Sequence, residues 1–291
     1  MISTLSKEEK RFVKENFKFA KEIIKVYEKI MIRISSLFLC AEFNSDTSSD
    51  IDKKFRVIIH LYLMPLILEC YQSILEALRK GRKIPASILF RAQIESFIDF
   101  CFLLNKQDLA ERYLDYHSVA AKWYLDSLEN VEDTTHINKS EVIAKYDDFI
   151  KKYNIIPKSN ELSTWSGLSI RRMASQIEDG DNIYSFYCRY SAYNHHSSNA
   201  MIILASYETE IDVKEDVLHE IFMDSFFMGG LLLFSTIGNL IKISKIEGDS
   251  NYDRLRGKLR QLFERFNELM KKTTELKEIS VSFHGETEIG F

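Results

Sequence analysis

The sequence predicts an all-α fold: a multi-helix bundle of about eight or nine helices, forming a single helical domain over residues 1–291. Apolar residues recur at spacings of three and four along almost the whole chain, which is the helical period. Ten glycines and three prolines among 291 residues are too few for a β-rich or loop-rich architecture. Hydrophobic residues at 45% and charged ones at 28% describe a globular chain, long enough to bury its own core without staples.

In the first predicted helix Val13, Phe17, Ala20, Ile24, Tyr27, Met31 and Ile34 form one apolar stripe, with lysines and glutamates opposite. The polar break NSDTSSDID (44–52) supplies aspartates to cap a second helix, Ile51 to Arg79, with a kink expected at Pro65 and a stop at Gly81. Pro85 suits the first turn of a third helix reaching Asn105. A fourth is expected over LAERYLDYHSVAAKWYLDSL (109–128). Residues 126–163 read as a variable insertion carrying one short amphipathic helix. Then follow a short helix from Trp165 to Ile177, one from Ile183 to Tyr207, and a long apolar one from Val217 to Ile246. The last helix carries Tyr252, Leu255, Leu259, Leu262, Phe266 and Leu269 as a heptad seam, and 279–291 reads as an irregular tail.

Composition also excludes function classes. A net charge of −4 gives no global basic field, so any nucleic-acid contact must be local. Cys40, Cys70, Cys101 and Cys188 are far apart and unpaired in the sequence, as expected of reduced thiols in a cytoplasmic protein. The N-terminal stretch lacks the apolar core of a signal peptide. The uncharged run from Ser225 to Ile241 contains Asn239 and lacks an aromatic belt, so it reads as a buried bundle helix, with no membrane partner expected. Asp216-x-x-His219 has a di-iron spacing but no second copy, so no metal and no cofactor are expected.

Two constellations carry candidate chemistry. Arg91 and Glu95 stand at i, i+4 on an apolar helix with Asp99 one turn further, a charged file that must find partners. In RYSAYNHHSSNA (189–200), Arg189 and His196 share one helical face, and Ser191 and His195 another. A histidine titrating near neutrality can move the proton of an RNA 2′-hydroxyl, while an arginine fork holds the phosphate. The competing reading is that these groups merely satisfy one another inside the bundle. The last helix is locally basic, with Arg254, Arg256, Lys258, Arg260, Arg265, Lys271 and Lys272, which fits either RNA contact or a solvated face.

The order RAQIES, ERYLDYH, W-x-G-x-S-x-R-R-M-A (165–174) and YCRYSAYNHHSS (187–198) resembles a widespread bacterial family of helical proteins without a defined role. The resemblance covers a motif-bearing core, residues 84–203, and places Arg91, Glu95, Tyr187, Ser191, His195 and Ser197 on the family pattern. His196 departs from it, standing where a proline is expected. The Arg189-x5-His195 spacing is also similar to the motif of HEPN domains, although Tyr190 replaces their usual polar residue after the arginine. That likeness implies a HEPN-like, metal-independent endoribonuclease of bacterial defence or toxin–antitoxin growth control. Arg189, His195 and His196 would be catalytic, with Arg91, Glu95, Tyr187, Ser191 and Ser197 positioning the substrate. It further implies RNA as partner, a homodimer, and an antitoxin or defence protein in attendance. The alternative is a non-catalytic helical sensor or scaffold that binds an anionic ligand or a partner protein.

Overall fold

A computed structural model describes residues 5–42, 50–128, 138–156, 162, 164–194, 211–244, 246 and 249–275. Helix α1 (Lys7–Glu42) begins with a reciprocal cap: the Glu9 N–H donates to Ser6 Oγ (3.1 Å) and the Ser6 N–H to Glu9 Oε2 (2.9 Å). The rod expected over Ile51 to Arg79 consists of α2 (Asp50–Val57), a π-helical turn (Ile58–Leu63) and α3 (Met64–Arg79). Pro65 lacks an N–H and its ring would crowd the carbonyl four residues back, so the expected disturbance takes the form of that wider turn. The rod stops where predicted. Gly81 takes φ 71°, while its N–H and that of Arg82 bond Leu78 O (2.9 Å) and Ala77 O (2.8 Å).

After α4 (Lys83–Asn105), the single helix expected at 109–128 is broken in two. A 3-10 turn (Gln107–Leu109) leads into α5 (Ala110–Asp115), and α6 (His117–Ser127) starts beyond Tyr116. At the junction His117 Nδ1 bonds Leu114 O (2.7 Å) and Ser118 Oγ bonds Asp115 O (2.8 Å), so side chains compete for the backbone carbonyls. Asn138 caps α7 (Lys139–Lys152), the amphipathic helix of the insertion. Only α8 (Ile170–Ala174) is helical in the stretch expected from Trp165 to Ile177; Trp165 itself lies in a turn. Then come α9 (Gly180–Asn194), α10 (Ile211–Ser244) and α11 (Ser250–Glu275). Among the described residues there are nine α-helices of at least eight residues and no strand. The tail 279–291 lies outside them.

Helix α4 sits at the centre, packed by α3, α9 and α10, and buries residues on nearly every side, among them Phe90, Gln93, Ile94, Ile98, Phe100 and Leu103. Glycines let α10 approach this closely. A Cβ on Gly229 would stand 2.9 Å from Gln93 Oε1, and one on Gly230 2.5 Å from Phe266 Cζ. Helices α1 and α11 pack on each other, so the two long apolar seams are matched within one chain. The insertion forms a small satellite core in which Val119 of α6 meets Phe149, Ile155 and Leu162. Two stretches, Ile51–Arg79 and Val217–Ser244, are long and apolar enough to cross a membrane, and 56% and 72% of their most apolar windows are buried within the protein.

Candidate functional site

The charged file on α4 is shared between two neighbours. Arg91 Nη2 donates to Glu95 Oε1 (2.8 Å) and to the Tyr187 hydroxyl of α9 (3.3 Å), and its Cζ lies 5.3 Å from the Tyr187 ring centroid. The Arg91 side chain is 22% exposed and that of Glu95 35%, so the pair lines a half-buried seam. Burial works against the Arg91 charge, but the Tyr187 and Glu95 contacts outweigh it and raise its pKa. Arg91 Nε is buried without a hydrogen-bond partner. One turn beyond Tyr187 on α9, Ser191 Oγ is in the same condition.

One turn along α4, Asp99 accepts a hydrogen bond from Trp165 Nε1 (2.9 Å). Burial pushes its carboxyl up to about 7; the indole bond draws it back and the Glu95 charge adds to the rise. This explains the W-x-G-x-S-x-R-R-M-A motif. Trp165 holds Asp99 and packs edge-on against Tyr113 (4.9 Å) and Phe102 (5.8 Å). Gly167, at φ 75°, leaves room for the Arg112 guanidinium, which a Cβ would meet at 2.8 Å. Ser169 caps α8, and Met173 and Ala174 are buried beneath it. Arg112 Nε and Nη2 are buried and unpartnered.

Arg189 faces elsewhere. Tyr187 and Arg189 are two positions apart on α9, about 200° around a helix. Arg189 Nη1 pairs with Glu220 Oε1 and reaches Asp224 Oδ2 (3.4 Å), both on α10. Tyr190 is fully buried and donates to Asp224 Oδ2 (2.9 Å). The residue that departs from the HEPN pattern therefore anchors the acid beside the arginine. Burial raises Asp224 to about 6; the Tyr190 bond opposes this, Glu220 adds to it and Arg189 counters it. Thus Arg91, Glu95 and Tyr187 form one set and Arg189 belongs to another. His195, His196 and Ser197 lie outside the described residues.

A second buried set was not anticipated from the sequence. Glu9 is fully buried, with Lys83 Nζ 2.6 Å and His219 Nδ1 3.2 Å from its Oε1. A carboxylate only accepts, so His219 donates through Nδ1, leaving its Nε2 buried and unpartnered. The pattern Ser6-x-x-Glu9 signals the cap but not the lysine or the histidine. A cavity of about 160 Å³ lies between α4, α9 and α10, with Phe97, Leu104, Ile183 and Met228 among its walls. Glu178 and Asp179 also line it, which makes it a poor seat for an anion. No group of three or more His, Cys, Asp or Glu suited to a metal ion occurs among the described residues.

Fold and site thus define an all-α protein with a polar seam buried between its central helix and α9. The model of a family of unknown function, DUF5677, matches residues 57–209, just over half of the chain, and the protein belongs to that family. The match encloses the 84–203 core on which the motif resemblance rests. No curated protein and no solved structure matches the chain.

Proposed function

We propose that the protein is a HEPN-like, metal-independent endoribonuclease of bacterial defence or toxin–antitoxin growth control. The observation that carries this reading is the pair of unmet polar groups on the α4–α9 seam. Arg91 Nε and Ser191 Oγ are buried without partners, the Arg91 guanidinium bonds the Tyr187 hydroxyl, and Ser191 stands four residues after Tyr187 and four before His195 in the sequence. Buried groups of this kind call for a ligand or water, and a phosphodiester offers several acceptor oxygens. In the proposed reaction His195 or His196 takes the proton of the 2′-hydroxyl as that oxygen attacks phosphorus. The bond from phosphorus to the 5′-oxygen breaks, the leaving oxygen receives a proton, and a 2′,3′-cyclic phosphate forms. Arg189 exchanges a carboxylate of α10 for the phosphate and stabilises its developing charge. Arg91, Glu95, Tyr187, Ser191 and Ser197 position the RNA, with Arg91, Glu95 and Tyr187 gripping it on the α4–α9 seam apart from the Arg189 set. A homodimer would bring two such sets together about a twofold axis, with a partner protein restraining them.

Incubation with RNA in EDTA, followed by analysis of the product ends, tests the reading. Cyclic phosphate ends that vanish in Arg189→Ala, and in His195→Ala or His196→Ala, are expected; their absence from the wild type refutes it. Light scattering tests the dimer, which a mass of 34.1 kDa refutes. One observation favours the alternative, a non-catalytic sensor or scaffold for an anionic ligand or partner protein. Arg189 is already held by two carboxylates, as an arginine with a structural duty would be. In that case wild type and Arg189→Ala both leave RNA intact.

A further inference from the structure

Helix α1 carries a continuous basic stripe. Lys7, Lys10, Arg11, Lys14, Lys18, Lys21, Lys25 and Lys29 are all exposed, and at 100° per residue they fall within about a third of the helix circumference. From Lys7 to Lys29 the stripe runs about 33 Å along the axis. Lys14, Lys25 and Lys29 have no ion-pair partner among the described residues. The packing extends this stripe onto a second helix. Lys258 of α11 pairs with Glu22 at 2.7 Å, and Arg265 lies over the Phe19 ring at 4.4 Å, so this flank of α11 adjoins the stripe. The same flank presents Arg254 and Lys272 at helical spacing.

The charge is segregated. Helices α1 and α11 together hold 16 Lys and Arg against 10 Asp and Glu, in a chain whose net charge is −4. Glu15 and Glu22 interrupt the α1 edge, and Lys258, Arg265 and Lys18 hold the Glu22 carboxyl below its usual range. Cations concentrated in this way attract a polyanion.

We propose that the outer face of α1 and the adjoining flank of α11 bind the phosphate backbone of RNA. The identification of the polyanion as RNA rests on the ribonuclease reading; the surface itself does not. A duplex carries about one charge per 1.7 Å of its axis with both strands counted, so a 33 Å length holds about 19 phosphates, more than twice the eight basic residues of the stripe. An anionic membrane fits less well. Ile32 is the only exposed large apolar residue on the described part of α1, and a helix that lies in a membrane interface needs an apolar face to insert.

The test is fluorescence anisotropy with a short labelled RNA in EDTA, over a series of salt concentrations, using full-length protein. The variant is Lys14→Ala/Lys18→Ala/Lys25→Ala/Lys29→Ala, and Lys139→Ala/Lys145→Ala/Lys151→Ala on α7 is the control. The ridge variant should bind at least about tenfold more weakly, and the slope of log affinity against log salt should fall by about 3, roughly 0.7 per lost contact. The control should match the wild type. Equal affinity and slope in wild type and ridge variant overturn the proposal, as does binding to phosphatidylserine vesicles without binding to RNA. RNA bound through the ridge but never cut leaves the surface standing and removes the nuclease; RNA cut as well by the ridge variant as by wild type, with unchanged binding, does the reverse.

Discussion

Replacing Lys83 by methionine should strip the charge from the most deeply buried ion pair described while keeping most of its volume. The Glu9 side chain is fully buried and that of Lys83 is 6% exposed, so loss of the ammonium leaves a carboxylate with no route to water. Burial alone would raise the Glu9 pKa. Hydrogen bonds from His219, Lys83 and the Ser6 N–H outweigh it and hold the group at about 2, against 4.5 unperturbed. Roughly 2.5 pKa units at about 1.36 kcal/mol each correspond to about 3 kcal/mol of stability at neutral pH. That sum is shared among His219, Lys83 and the Ser6 N–H, but removing the ammonium also strands part of a buried charge, which usually costs roughly 3–5 kcal/mol. The sign follows from the depressed pKa: the contribution is complete above about pH 4.5 and disappears as pH falls through about 2. Urea denaturation should therefore find Lys83→Met about 3 kcal/mol less stable at neutral pH, with the gap narrowing in acid. The double variant Glu9→Leu/Lys83→Met should recover part of the loss, because no unpaired charge remains, although His219 Nδ1 and the Ser6 N–H lose their acceptor. A single-variant loss below about 1 kcal/mol at neutral pH would falsify the claim that this pair ties α1 to α4.

Gly230→Ala should cost about 1–3 kcal/mol in the same assay, since its Cβ would meet the ring of Phe266 at 2.5 Å; an unchanged midpoint would show that α10 has slack there. Asp99 is raised from 3.8 to about 7, so it contributes most below about pH 4 and progressively less as pH rises through 7. Asp99→Asn keeps an acceptor for the Trp165 indole and should flatten that dependence; equal pH profiles for variant and wild type would refute it. Arg91→Ala and Arg189→Ala should destabilise additively, within about 0.5 kcal/mol, because they belong to separate sets, and a larger coupling energy would place them in one site.

Legibility followed sequence distance. Gly81 and Pro85 punctuate the chain, so the end of α3 and the extent of α4 were readable to within a residue or two. The Arg91–Glu95 pair was readable because both residues lie on one helix at i, i+4. The break at Tyr116 was not, since it depends on His117 and Ser118 bonding carbonyls in an otherwise helical pattern. Trp165 was placed on a helix because the residues after it have helical spacing; what decides its turn is Gly167, whose positive φ gives room to an arginine fifty-five residues earlier. The meeting of Glu9, Lys83 and His219 depends on how α1, α4 and α10 pack, which no local pattern encodes. That Arg91 and Arg189 belong to separate sets was not readable either, because each helix has several neighbours.

Helix α4 makes that last point general. Its polar residues do not gather in one place: Lys83 turns to α1, Arg91 to α9, and Asp99 to the turn before α8. Gln93, fully buried, donates to the Gly229 carbonyl of α10 at 2.9 Å. A central helix must dock against every neighbour, and one directional bond per seam fixes rotation and register where apolar packing alone tolerates sliding. Charges on an apolar helix therefore mark seams first. Chemistry is to be sought where a seam leaves its bonding incomplete. Bonding is left incomplete at His219 Nε2 in the Glu9 set, at Arg112 Nε and Nη2, and between α4 and α9 at Arg91 Nε and Ser191 Oγ. An anion bound between α4 and α9 should therefore protect Arg91 and Ser191 before it affects Asp99, and phosphate-bearing ligands should be tried there and at Arg112.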